Sequence, residues 1–100
     1  MSAYYILTQT VTDVPRYFRY YVSAVVPILQ KHKAEIVVGE MEAKPVQGNP
    51  AKGVVVVRFP SEQAVYDFLA DPEYQPILKI RLALTENASA VVAPAFVPPT

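Results

Sequence analysis

The chain has 100 residues, 52% of them hydrophobic and 18% charged, a length that suits one core and a composition too apolar for a disordered segment. Nine basic side chains balance nine acidic ones, and the longest basic stretch is Lys31-His32-Lys33; without a positive field to release phosphate counterions, no nucleic-acid partner is expected. No cysteine is present, which excludes disulfides and thiolate chemistry.

Residues 3–12 carry Tyr4, Tyr5, Ile6, Leu7, Thr8, Thr10 and Val11, a β-branched and aromatic run that reads as a strand. Asp13 follows as an N-cap, its carboxylate placed to accept from free amides of the next turn, with Pro15 inside that turn. Phe18, Tyr21, Val22, Val25 and Leu29 recur at helical spacing and predict an amphipathic helix ending near His32. Pro27 lies inside it and predicts a kink. A second strand is predicted over residues 34–42, centred on Ile36, Val37 and Val38, with Gly39 marking a bulge. Residues 44–52 hold two prolines and a Gly-Asn pair, hence a hairpin loop. The third strand covers 54–59 and Pro60 stops it. Ser61 then caps a second helix that turns Val65, Phe68 and Leu69 inward. Asp71-Pro72 ends that helix and starts another helical piece over 73–84, with Tyr74, Ile77 and Leu78 inward. The fourth strand covers 88–96, and residues 97–100 form an extended tail.

This order is βαββαβ with the second helix split. It predicts one α+β domain over residues 1–96, ferredoxin-like, with a four-stranded antiparallel sheet and its helices on one face. The other face should alternate apolar and polar if it met water. Only the first strand shows such a bias, with Thr8 and Thr10 on the side of Tyr4 and Ile6. In the third, Val54 and Val56 point one way and Val55 and Val57 the other, the second sets Ile36 and Val38 against Val37 and Met41, and the fourth sets Val92 against Val91. An uncovered apolar face on the order of 500 Å² is already large for a monomer. Its burial is worth roughly 12 kcal/mol at about 25 cal/mol/Å², against association costs of about 4–15 kcal/mol. A two-fold homodimer, sheet on sheet, is therefore expected. No apolar run approaches the roughly 20 residues that span a bilayer, so no membrane partner is expected. Met1-Ser2-Ala3-Tyr4 enters the first strand with no basic and apolar leader pattern, and the expected location is cytoplasmic.

Several segments resemble a known family. They are Val11-Thr12-Asp13 with Tyr17 and Tyr20, Pro27 and His32 late in the first helix, Gly48 in the hairpin loop, Phe59-Pro60-Ser61, and Asp71-Pro72-Glu73-Tyr74-Gln75 with Arg81 beyond it. In order and spacing they resemble the bacterial domain of unknown function 1330 family, of the dimeric α+β barrel superfamily, over residues 3–96. This chain departs at two places: Lys33-Ala34-Glu35 stands where the family has a Gly-Gly pair, and Arg58 where it often has an acidic residue. The resemblance implies a ferredoxin-like fold paired as a dimeric α+β barrel and no established reaction. The wider superfamily includes cofactor-free monooxygenases, lactone isomerases and heme enzymes, which is analogy at the level of fold.

Candidate chemistry is sparse. His32, the one histidine, is a candidate catalytic base near neutral pH, or a helix C-terminal cation favoured by the macrodipole. Asp13 is a candidate catalytic carboxylate at a strand's end, and N-capping already accounts for it. Tyr17 and Tyr20 are candidate substrate-binding hydroxyls, since Tyr17, Phe18, Tyr20 and Tyr21 cover most of a helix circumference and cannot all be buried. Arg81 is a candidate anchor for a ligand carboxylate, or a solvated surface charge. Arg58 is expected to form an ion pair with Glu40 or Glu42, on the neighbouring strand or at the dimer interface. No second His or Cys completes a metal site, so neither metal nor cofactor is expected, although one His could serve as an axial heme ligand. The reading that follows is a homodimer that binds a small organic ligand or acts as a cofactor-independent enzyme on a compact substrate. The alternative is a non-catalytic interaction or regulatory module built on the same dimer.

Overall fold

Strand β1 (Ala3–Val11) alternates as its sequence does: Ala3, Tyr5, Leu7 and Gln9 are buried, while Tyr4, Ile6, Thr8 and Thr10 lie half-buried on the opposite face. The computed structural model describes residues 1–99, so of the expected tail Thr100 lies outside the described residues. Asp13 accepts from the Arg16 amide at 3.1 Å and opens a helix, α1, over residues 14–31. Its second segment, Tyr17–Val22, is π-helical rather than α-helical. With Tyr17, Tyr21, Val25 and Ile28 inward, the buried stripe runs one residue ahead of the one expected at its start, and Phe18 is 48% exposed instead of facing the core. Pro27 sits inside the closing segment, Ser23–Lys31.

The helix closes on a Schellman motif, with Lys33 N–H bonded to the Gln30 carbonyl and Ala34 N–H to the Leu29 carbonyl. Lys33 is left-handed there, at φ 57°. Strands β2 (Glu35–Glu40) and β3 (Gly53–Phe59) form the expected hairpin, its loop holding Gly48 at φ 74°. The pairing slips between Ile36 and Val38, so the bulge falls at Val37 and not at Gly39. Ile36 therefore opposes Val57 on the helix side and Val38 opposes Val56 on the far side, correcting the expectation that these two share a face. Arg58 pairs with Glu35, its cross-strand partner in this register, rather than with Glu40 or Glu42. Helix α2 (Glu62–Ala70) is capped by the Ser61 hydroxyl, which accepts from Ala64 N–H at 3.1 Å. Helix α3 (Gln75–Ala83) follows, and β4 (Thr85–Pro94) returns along β1.

The sheet order is β2-β3-β1-β4, antiparallel throughout, the ferredoxin-like arrangement. The core lies between the sheet and the helices, around Tyr5, Leu7, Val57, Phe59, Val65 and Phe68. With Cα extents of 45 × 37 × 16 Å, the thin dimension has room for two layers and not three. On the outer face the strand registers align Val91, Ile6, Val56 and Val38 in one aliphatic row across all four strands. Tyr4 with Arg58 and Glu35 flank it at one end, and Ser89, Thr8 and Glu40 include the polar groups at the other. Among the described residues no helix is long and apolar enough to cross a membrane.

Candidate functional site: a tyrosine-walled cavity and a buried arginine

Between α1 and the β1–β3–β2 half of the sheet lies a cavity of about 170 Å³. Its sheet wall includes Tyr5, Leu7, Val55 and Val57, and Ile36 and Gly39 supply the edge of β2. Tyr17, Tyr21 and Val25 close it from the helix, and Phe68 from α2. Tyr17 and Tyr21, four residues apart in the π-helical segment, both face inward with their ring centroids 5.2 Å apart. The lining is aliphatic and aromatic, with Tyr5, Tyr17 and Tyr21 among the phenol-bearing side chains that border it.

Two of those phenols belong to a buried polar cluster. Arg81, on α3, is only 7% exposed, and its Nη1 donates to Gln9 Oε1 at 3.0 Å. Gln9, fully buried on β1, donates from Nε2 to the Tyr17 hydroxyl at 2.9 Å. Tyr21 and Tyr74 share a hydrogen bond of 2.9 Å between their hydroxyls. The buried Nε of Arg81 has no partner among the described residues, and no described carboxylate lies within 4.0 Å of the guanidinium. Burial opposes the Arg81 charge, yet Tyr74, Tyr5 and Tyr21 around it hold the guanidinium above its ordinary value, so it is charged. Burial raises the Tyr17 phenol above 10.0 by more than the Gln9 hydrogen bond and Arg81 lower it. Burial, reinforced by Tyr74, raises Tyr21 further. Both phenols are neutral at physiological pH.

The candidates from sequence thus separate. Tyr17 and Arg81 come together through Gln9. Tyr20 is 48% exposed, with the Arg19 guanidinium 5.4 Å from its ring centre, and it does not line the cavity. Asp13 caps α1 and pairs with Arg16 at 3.6 Å, also away from the cavity. His32 joins a different group: its Nε2 lies 2.7 Å from Asp71 Oδ2, and Lys31 Nζ reaches the same oxygen at 2.6 Å. Glu73 N–H donates to the other carboxylate oxygen at 2.9 Å. Lys31, then His32, then the Glu73 amide hold the Asp71 carboxyl well below the usual carboxylate range. An ionised Asp71 can only accept, so the His32 ring carries its proton on Nε2. Phe68 connects the two groups, since it lines the cavity and meets the His32 ring edge-on at 5.9 Å. Among the described residues no group of three or more His, Cys, Asp or Glu is placed to hold a metal ion.

Gln9 escaped sequence reasoning, although a signal was there: it occupies the inward position of a strand whose other inward residues are Ala3, Tyr5 and Leu7. A polar side chain on the buried phase of a strand must find partners. Tyr5, Tyr74 and Asp71 gave no comparable signal.

Comparison with known proteins completes the description. The model of the family described as domain of unknown function (DUF1330) matches residues 2–95. The chain belongs to the DUF1330 family. No curated protein matches it. Among solved structures, this DUF1330 chain is similar to RPA0582 of Rhodopseudomonas palustris, a protein of unknown function, at 15% identity and TM-score 0.74, over 97% of this chain and 84% of that one. It is similar to a variant of SnoaB, a cofactor-independent oxygenase of Streptomyces nogalater, at 14% identity and TM-score 0.69, over 97% and 95%. A dimeric protein of unknown function with a ferredoxin-like fold from Bacteroides fragilis aligns at 16% identity and TM-score 0.63, over 94% and 96%. At these identities the likeness concerns the fold.

Proposed function

We propose that the protein is a homodimer that binds a compact organic molecule in the cavity beneath α1, and that any reaction there proceeds without a cofactor. The cavity carries this reading. At about 170 Å³ it is comparable with an engineered apolar cavity of about 150 Å³ that takes up benzene, so a single ring is the scale of ligand. A concave wall of aliphatic and aromatic side chains is the usual composition of a small-molecule site. One structural neighbour is a cofactor-independent oxygenase, which supports a cofactor-free site by analogy of fold. The homodimer rests on the aliphatic row of the outer face, where Val91 is 58% and Val38 39% exposed, and on the dimeric neighbour. A second copy of the chain is self-complementary to such a row.

The lining itself favours a second reading, binding without turnover. It includes phenols but no imidazole and no carboxylate to serve as a base. A thermal-shift panel of single-ring compounds tests the binding claim. Gly39 is the control, because a Cβ there meets only Ile36 at 3.6 Å and a longer side chain extends into the cavity it lines. Stabilisation by a ring compound in the wild type, lost in a folded Gly39→Leu variant, supports the proposal. No stabilisation by any member of the panel contradicts it. Consumption of the bound compound, followed by mass spectrometry, separates enzyme from binding module.

A further inference from the structure

The direction of every hydrogen bond between Arg81 and Tyr17 is fixed by chemistry. A guanidinium only donates, so Gln9 must present its carbonyl oxygen to Arg81 Nη1 at 3.0 Å. That sets the amide orientation, and the NH2 end of Gln9 then points at the Tyr17 hydroxyl, 2.9 Å away. The Tyr17 oxygen is thereby an acceptor, and its own proton must be directed elsewhere. Among the described residues no acceptor for that proton is found, and Tyr17 lines the cavity. The Tyr21–Tyr74 pair carries no such direction, since either hydroxyl can donate.

A relay of this kind polarises its last member, because each bond in a chain strengthens the next. Its source is a positive charge that is nine-tenths buried, without a carboxylate partner and with an unpartnered Nε among the described residues. A buried charge in that condition is costly unless an opposite charge approaches it. The groups packed around it are Tyr5 and Gln9 of β1, Tyr21 of α1, and Tyr74 beside α3, and none is a carboxylate.

We propose that Tyr17 is the donor that fixes the cavity's ligand, and that the ligand is a compact ring compound presenting one acidic oxygen, held as its phenolate or enolate with the Arg81 charge behind it. The proposal rests on the cavity being the binding site, and it adds the class of molecule and the residue that selects it.

Two size-matched probes separate the claims: fluorobenzene, which has no oxygen, and 4-fluorophenol, whose ionisation is read from its fluorine chemical shift. Both should bind the wild type. The bound 4-fluorophenol should ionise about one pH unit lower in the wild type than in Tyr17→Phe, the tenfold preference that one charge-assisted hydrogen bond supplies over the same apolar surroundings. Tyr17→Phe keeps the ring that lines the cavity and should still bind fluorobenzene while losing that shift. Arg81→Met serves the same purpose if Tyr17→Phe does not fold. Fluorobenzene bound while 4-fluorophenol ionises at the same pH in the wild type and in Tyr17→Phe would overturn the inference and leave the cavity reading intact. Failure of both probes to bind would overturn both.

Discussion

Gly53 sits where a Cβ would come within 2.5 Å of the Gln9 carbonyl oxygen, so the close approach of β3 to β1 at the start of the ladder requires glycine. Gln9 is also the middle member of the Arg81–Gln9–Tyr17 relay. Gly53→Ala should therefore cost about 1–3 kcal/mol by overpacking against backbone, and it should weaken ligand binding as well, measured by urea denaturation and by thermal shift with the same ring compound. Asp71 gives a pH dependence of the opposite kind of site, one that holds the fold. Its carboxyl is depressed in the native state by Lys31, His32 and the Glu73 amide, and lies at 3.8 when unfolded. The unfolded chain thus binds the proton first, so this contribution is present above pH 3.8 and is lost as pH falls through the depressed native value. Denaturation midpoints measured from pH 6 down to about 2 should fall more steeply in the wild type than in Asp71→Asn; parallel curves would show that the clamp contributes nothing.

At the scale of elements, much of the fold was legible because the signals are local. Asp13 and Ser61 cap helices with their own oxygens, and Asp71 follows the last residue of α2. The misplaced features depend on partners far along the chain. The bulge at Val37 is set by the register against Val56 and Val57 of β3. The buried stripe enters the π-helical segment at Tyr17 and not at Phe18, and a pattern read at 3.6 residues per turn does not contain that change of winding. The site shows the same division: Tyr17 and Arg81 could be singled out, but the relay joining them spans 8 residues on one side of Gln9 and 72 on the other. The end of α1 carries a prediction. Lys33 occupies the left-handed position of the Schellman motif at φ 57°, which costs a residue with a Cβ about 1–2 kcal/mol. Lys33→Gly should raise stability by up to about 1 kcal/mol after the greater freedom of glycine in the unfolded chain is counted, seen as a higher urea midpoint with an unchanged slope.

For the whole molecule, the proposed dimer and the proposed ligand site assign different tasks to the two faces of one thin sheet. The inner face, with α1 and α2, encloses the cavity, and the outer face presents the row Val91, Ile6, Val56 and Val38. Each task can be removed without the other. Val56→Lys places a charge at the centre of the outer row and should yield a folded monomer whose cavity still takes up fluorobenzene, whereas Gly39→Leu should leave the dimer intact and close the cavity. Loss of ligand binding in Val56→Lys would instead mean that the partner helps to build the site. The division between faces stands or falls on the dimer. Its most direct test is sedimentation equilibrium of the wild-type chain at micromolar concentration, where the account predicts twice the 11.1 kDa mass of one chain, and a stable species of 11.1 kDa would contradict it.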